Sequence, residues 1–146
     1  MPISLAYPSG RFSPPSLPDL TSKEQRGKLS PSALKAFFKI VDTWGVKDQD
    51  ARQLLGGISN GPYYQLKKNP NAKILNQDQL LRISYLIGIF KALKALHGKD
   101  LASRWVSLRN SNRIFDGMTP LEYMEKGGIP AMQTVRRLLE SRVQGA

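Results

Sequence analysis

Residues 48–68 read DQDARQLLGGISNGPYYQLKK. Asp48 is a side-chain acceptor suited to capping a short helix over residues 49–55, with Ala51, Leu54 and Leu55 on its inner side. Gly56-Gly57 ends that helix, because glycine accepts the left-handed backbone a tight turn needs. Ser59 then caps a second short helix reaching Lys68, and Asn69-Pro70-Asn71 terminates it. Two short helices joined by a glycine turn have the geometry of a helix-turn-helix. In that motif the second helix enters the major groove, so it needs apolar anchors on one side and polar groups on the other. Ile58, Tyr63 and Leu66 fit the anchors. Asn60, Tyr64, Gln65, Lys67 and Lys68 then project outward beside Ser59. Asn and Gln pair bidentately with adenine, and Lys neutralises phosphate. Arg52 on the first helix is placed to touch the backbone.

The charge around this stretch agrees with a polyanionic partner. The 146 residues carry 22 Lys and Arg against 11 Asp and Glu, a net charge of +11. Residues 30–97 hold ten basic and four acidic residues, net +6, the largest share of the excess. Residues 1–29 hold +2 and residues 98–146 hold +3. A strongly basic chain of this size points to nucleic acid or another acidic surface.

Working outward, Ser30-Pro31 reads as the start of a first helix, with serine as N-cap and proline in the first turn. Leu34, Phe37, Phe38, Val41 and Trp44 recur at helical spacing, and Gly45 stops the helix. Asn76 opens a long helix ending at His97-Gly98. Its apolar residues run so widely around it, from Leu80 to Leu96, that it must be buried on more than one side. That suits a central helix joining two helical layers, or one that also forms a dimer contact. Residues 100–108, with Trp105, form a shorter helix. Residues 109–118 form a polar loop anchored by Phe115. Thr119-Pro120 with Glu122 has the pattern of a capping box. Gly127-Gly128 stops that helix, and Pro130 opens the last one, with Met132, Val135, Leu138 and Leu139 on one side. No alternating strand pattern occurs. The expectation is an all-α chain of about seven helices. Residues 1–28, which include five prolines in the first 18 positions, read as an extended or disordered arm.

The composition also excludes chemistries. With no cysteine there are no disulfides, thiolate metal sites or cysteine nucleophiles. The one histidine, His97, sits at a helix C-terminus, where a structural role suffices. Gly56 and Gly61 have the spacing of a phosphate-binding loop, but Pro62-Tyr63 stands where Lys and Ser or Thr are required. No catalytic residue, metal site or cofactor is nominated. No secretory signal or membrane-spanning run is present, which makes the cytoplasm the expected compartment.

The C-terminal residues carry a more specific pattern. Trp105, Arg109, Asn112, Phe115, Gly117, Thr119-Pro120-Leu121, Tyr123-Met124, a glycine at 127 or 128, and Val135-Arg136-x-Leu138-Leu139 follow in order. This run resembles the toxin-binding domain of the Xre/MbcA/ParS antitoxin family, and the stretch from Ala33 to Lys68 resembles that family's Xre-like helix-turn-helix. The resemblance covers roughly residues 30–143, and implies a helix-turn-helix domain over 29–97 followed by a toxin-binding domain over 98–146. It further implies a bacterial type II antitoxin, usually dimeric, that occludes the NAD cleft of a RES-domain toxin and represses its own operon. On that reading Arg109, Asn112 and Phe115 shape the toxin-facing loop. Arg136, Arg137 and Arg142 meet acidic groups on the toxin, and Glu140 or the carboxylate of Ala146 meets basic residues meant for pyrophosphate. Two rivals stand beside it: a stand-alone DNA-binding regulator without a toxin, and a pure interaction module in which Gly61-Pro62 prevents groove insertion.

Overall fold

The computed structural model describes residues 18–145, so Ala146 and residues 1–17 of the expected arm lie outside it. Among the described residues six α-helices follow one another: α1 (Lys23–Thr43), α2 (Asp48–Leu54), α3 (Asn60–Lys68), α4 (Gln77–Leu96), α5 (Lys99–Arg104) and α6 (Pro120–Gly145). Short 3-10 turns cover Trp105–Ser107 and Arg113–Phe115. No strand occurs among the described residues, and no helix there is long and apolar enough to cross a membrane.

Helix α4 is the axis of the fold. α1 packs on one side of it and α6 on the other. Leu80, Ile83, Leu86, Ile89 and Leu93 are buried between them. Much of the unusually broad apolar surface of α4 is thus covered within the chain, as a central helix joining two layers requires, while Leu81, Tyr85, Ile87 and Phe90 stay half-buried. Asn76 starts α4 with a complete capping box. Its Oδ1 accepts from the Gln79 amide at 2.8 Å, and the Gln79 side chain accepts from the Asn76 amide at 3.0 Å. One apolar core runs from Leu34 and Phe37 of α1, through α4, to Val135 and Leu139 of α6. The expected division near residue 97 therefore separates two stretches of sequence that share a core.

The expected helix over 100–108 ends at Arg104 and gives way to the 3-10 turn at Trp105–Ser107. Two further boundaries differ from the sequence reading. Helix α1 begins at Lys23, capped by Ser22, whose hydroxyl accepts from the Gln25 amide at 3.3 Å. The expected start at Ser30-Pro31 falls inside the helix, so residues 23–28 are not part of an extended arm. A proline in a helix removes one backbone donor, but tertiary contacts hold this turn in place. Ser30 is fully buried. Its hydroxyl donates to the Arg26 carbonyl at 2.6 Å and accepts from the Leu75 amide at 2.9 Å. Arg26 adds bonds to the carbonyls of Leu75 (3.1 Å) and Leu20 (2.9 Å). The two bonds to Leu75 come from the 69–76 connection, which local periodicity does not register. The second difference is smaller: the N-cap of α2 is Lys47, and Asp48 is the first helical residue.

Gly128 breaks α6 where the sequence placed a stop. Its φ of 64° and ψ of −144° are non-helical, and the chain resumes the helix through Pro130. At the start of α6 the Thr119 amide donates to Glu122 Oε1 at 2.9 Å, and the Glu122 amide donates to Thr119 Oγ1 at 3.1 Å. The Thr119 amide, and after it the Thr119 hydroxyl, lowers the Glu122 carboxyl from its ordinary value by hydrogen bonding to it.

Candidate functional site

The turn between α2 and α3 is built by glycine. Gly56 and Gly57 have φ of 104° and 83°, a region that side chains with a Cβ rarely enter. The Gly57 amide donates to the Arg52 carbonyl at 2.9 Å, and the Gly56 amide donates to the Gln53 carbonyl at 3.1 Å. This pair of bonds is a Schellman motif, which satisfies the carbonyls left free at the end of α2.

Helix α3 is oriented by its buried side. Tyr63 and Leu66 are 1% and 3% exposed. The Tyr63 ring meets Phe38 of α1 edge-on, with centroids 5.6 Å apart. Burial, with the nearby charge of Asp48, pushes the Tyr63 phenol up to about 12, so its ring stays neutral in the core. Pro62 leaves α3 intact. It sits in the first turn, where backbone N–H groups have no helical partner to lose. Gly61-Pro62, which the interaction-module rival invokes, therefore does not interrupt the helix.

Most of the residues expected to face DNA are exposed on or just before α3. Ser59, Asn60, Tyr64, Gln65, Lys67 and Lys68 are all exposed, Tyr64 by 57%. Ser59 is the N-cap position, but its side chain makes no capping bond. Lys67 reaches Asp48 at 3.3 Å, tying α3 to α2. Arg52 is half-buried, with its Nε enclosed and unpaired.

The residues expected to face a toxin fall on two elements. In the 109–118 loop, an Arg109 Nη donates to the Gly117 carbonyl at 2.6 Å, and Asn112 Oδ1 accepts from the Ile114 amide at 3.1 Å. Asp116 and Gly117, with φ of 50° and 80°, turn the chain back. Phe115 is 0% exposed, wedged edge-on between Trp105 and Tyr123 at 6.0 and 5.3 Å. The sequence reading places Phe115 among the toxin-facing residues, but its burial makes it the loop's anchor and no direct contact for a toxin. An aromatic ring in a polar loop is buried here because it ties the loop to the core, so Phe115 shapes the surface from beneath.

On α6, Arg136 Nε pairs with Glu140 Oε2 at 3.1 Å, and the guanidinium stands 5.8 Å from the Tyr85 ring centroid. The two expected partners of toxin charges therefore first satisfy each other. Gly88 of α4 makes room for this pair: a Cβ there would lie 2.5 Å from Arg136 Nε. Arg137 is exposed and Arg142 half-buried.

The sequence reading missed a contact between the two halves of the chain. Glu125 of α6 is pushed up to about 7, first by burial, then by a hydrogen bond and repulsion from Asp50 of α2, with Glu122 adding a smaller repulsion. Neither residue belongs to a recognisable motif, and only the folded chain brings them together. No group of acidic residues and histidine that could hold a metal ion occurs among the described residues.

A tight glycine turn, an anchored second helix and an exposed polar face define a helix-turn-helix protein. Comparison with known proteins sharpens that class: residues 29–88 match the antitoxin Xre-like helix-turn-helix domain. The chain is also 32% identical over 116 residues to the uncharacterised protein y4oB of Sinorhizobium fredii (strain NBRC 101917 / NGR234), covering 79% of this chain and 87% of the relative. The chain belongs to the family of y4oB and carries the DNA-binding type of domain found in Xre-like antitoxins. No solved structure matches it.

Proposed function

We propose that this protein is the antitoxin of a type II pair, that it neutralises a RES-domain toxin by blocking its NAD cleft, and that it represses its own operon through α3. The observation that carries the reading is the match of residues 29–88 to an antitoxin helix-turn-helix. The exposed row Asn60, Tyr64, Gln65 and Lys68 supports the DNA-binding part. Side-chain amides read base edges, and lysine fixes register on phosphate. The ordered run from Trp105 to Leu139 supports the toxin-binding part. Its loop, braced by Phe115 and Arg109, and the α6 positions Arg136, Arg137, Glu140 and Arg142 form the proposed inhibitory surface; Ala146 lies outside the described residues.

Inhibition by occlusion needs no reaction from the antitoxin. It needs a stable surface whose charges oppose those of the target cleft. A homodimer would present two α3 helices to the two halves of a palindromic operator in the cytoplasm. The test is binding to the chain's own upstream DNA at several salt concentrations. About six phosphate contacts give a log–log slope of roughly −5. A flat salt response, or no preference over scrambled DNA, overturns the DNA-binding part.

A further inference from the structure

A cleft of about 800 Å³ opens where the C-terminal ends of α1 and α4 meet α5. That volume is in the range of small-molecule sites, roughly 300–1,000 Å³. Lys39, Lys94 and Lys99 stand around it, Phe90 and Ala102 supply apolar wall, and His97 and Ser103 line it as well. None of the three lysines takes part in an ion pair among the described residues. The cleft's acidic residue, Asp100, is already engaged by Arg104 at 2.9 Å. His97 Nε2 is buried without a hydrogen-bond partner. Lys94 Nζ stands over the Phe90 ring, 5.4 Å from its centroid, a cation–π contact at the cleft wall.

The proposed DNA contacts do not use this cleft. Successive helix residues point about 100° apart, and Phe38 turns toward Tyr63 of α3 while Lys39 turns toward the cleft. Lys39, Lys94 and Lys99 are exposed at the rim of a recess with an aromatic wall. Such a recess suits a compact molecule with a phosphorylated end and a flat or apolar end. A phosphate monoester carries about −1.5 to −2 at neutral pH, and a diphosphate offers enough charge and reach to meet three ammonium groups. We propose that this cleft binds a nucleoside diphosphate, with the phosphates toward Lys39, Lys94 and Lys99 and the base toward Phe90.

Titration calorimetry of the full chain with adenosine diphosphate tests this, alongside side-chain NMR of Phe90 and His97. Saturable binding is expected, with shifts at both residues. Lys94→Gln should weaken it about tenfold, as loss of one charge-assisted hydrogen bond does, and adding Lys39→Gln and Lys99→Gln should abolish it. Lys68→Gln on α3 should leave it unchanged. If the triple variant loses its cooperative melt, the exposed single change Lys94→Gln decides alone. No saturable binding, equal binding by Lys94→Gln, or equal weakening by Lys68→Gln overturns the proposal. Inorganic phosphate binding as tightly as the diphosphate overturns the nucleotide assignment. Loss of duplex DNA binding in Lys94→Gln, with no diphosphate binding in the native chain, reassigns the cleft to nucleic acid and also overturns it. The DNA shift with upstream sequence is read on α3 and fails or holds independently.

Discussion

Replacing Ser30 by alanine tests the most consequential local difference between pattern and fold. The hydroxyl is fully buried and bridges two backbone groups: the Arg26 carbonyl, at 2.6 Å, and the Leu75 amide, at 2.9 Å. The two losses are unequal. The Arg26 carbonyl lies within helix α1, but the Leu75 amide sits in the connection between α3 and α4 and is left without this acceptor. A buried donor stranded this way costs about 1–3 kcal/mol, and the packing lost with one small oxygen adds little. The expected destabilisation is about 2 kcal/mol by urea unfolding, or roughly 6–8 °C in melting temperature for a chain of this size. A serine that merely capped a helix would produce about 1 kcal/mol, so equilibrium stability separates the two roles poorly. Hydrogen exchange separates them well. The bridge predicts faster exchange at Leu75, forty-five residues away in sequence, while Ser22→Ala frays the first turn of α1 and leaves Leu75 unchanged. Unaltered exchange at Leu75 in Ser30→Ala, with fraying from residue 31 onward, would refute the reasoning.

Three further outcomes follow from the geometry. Glu125 is raised from an ordinary 4.5 to about 7, so the folded chain holds a proton there that the unfolded chain releases. Stability from this group is complete below pH 4.5 and is lost as pH rises toward 7, and solvent screening of the half-exposed carboxyl reduces the loss to about 1 kcal/mol. Glu125→Gln should flatten the dependence in urea melts at pH 5 and 8; an unchanged slope would assign it to other groups. Gly88→Ala should push Arg136 away from Glu140 and Tyr85, because the new Cβ would lie 2.5 Å from its Nε. The guanidinium can swing aside, so a stability cost under about 1 kcal/mol is expected, with a clear loss of affinity for the proposed toxin partner. Native toxin affinity in that variant would remove Arg136 from the interface. Gln65→Ala with Lys68→Ala should lower operator affinity at least about tenfold without moving the melting temperature, since both side chains are exposed; unaltered DNA binding would place the contacts elsewhere.

What the sequence made legible was local. Gly56-Gly57, the Asn76 cap, the Thr119–Glu122 box and the break at Gly128 each depend on residues within a few positions, and each sits where the pattern placed it. The breadth of apolar residues on α4 announced its central position. What stayed hidden depends on tertiary contact. The first turns of α1 persist across Pro31 because Arg26 and Ser30 bond to the connection before α4. Phe115 was readable as an anchor, but its full burial depends on Trp105 and Tyr123 closing over it. The lysine-ringed cleft joins residues sixty positions apart, and no periodicity predicts that Lys39 and Lys99 share a recess.

The central claim is that this protein works by binding a NAD-consuming toxin. The direct measurement is NAD consumption by the purified protein encoded beside it, titrated with this chain. Activity should fall to background at a fixed molar ratio, with the two proteins co-eluting as one complex. Undiminished NAD consumption at excess of this chain, or a neighbour that neither consumes NAD nor co-elutes, would contradict it.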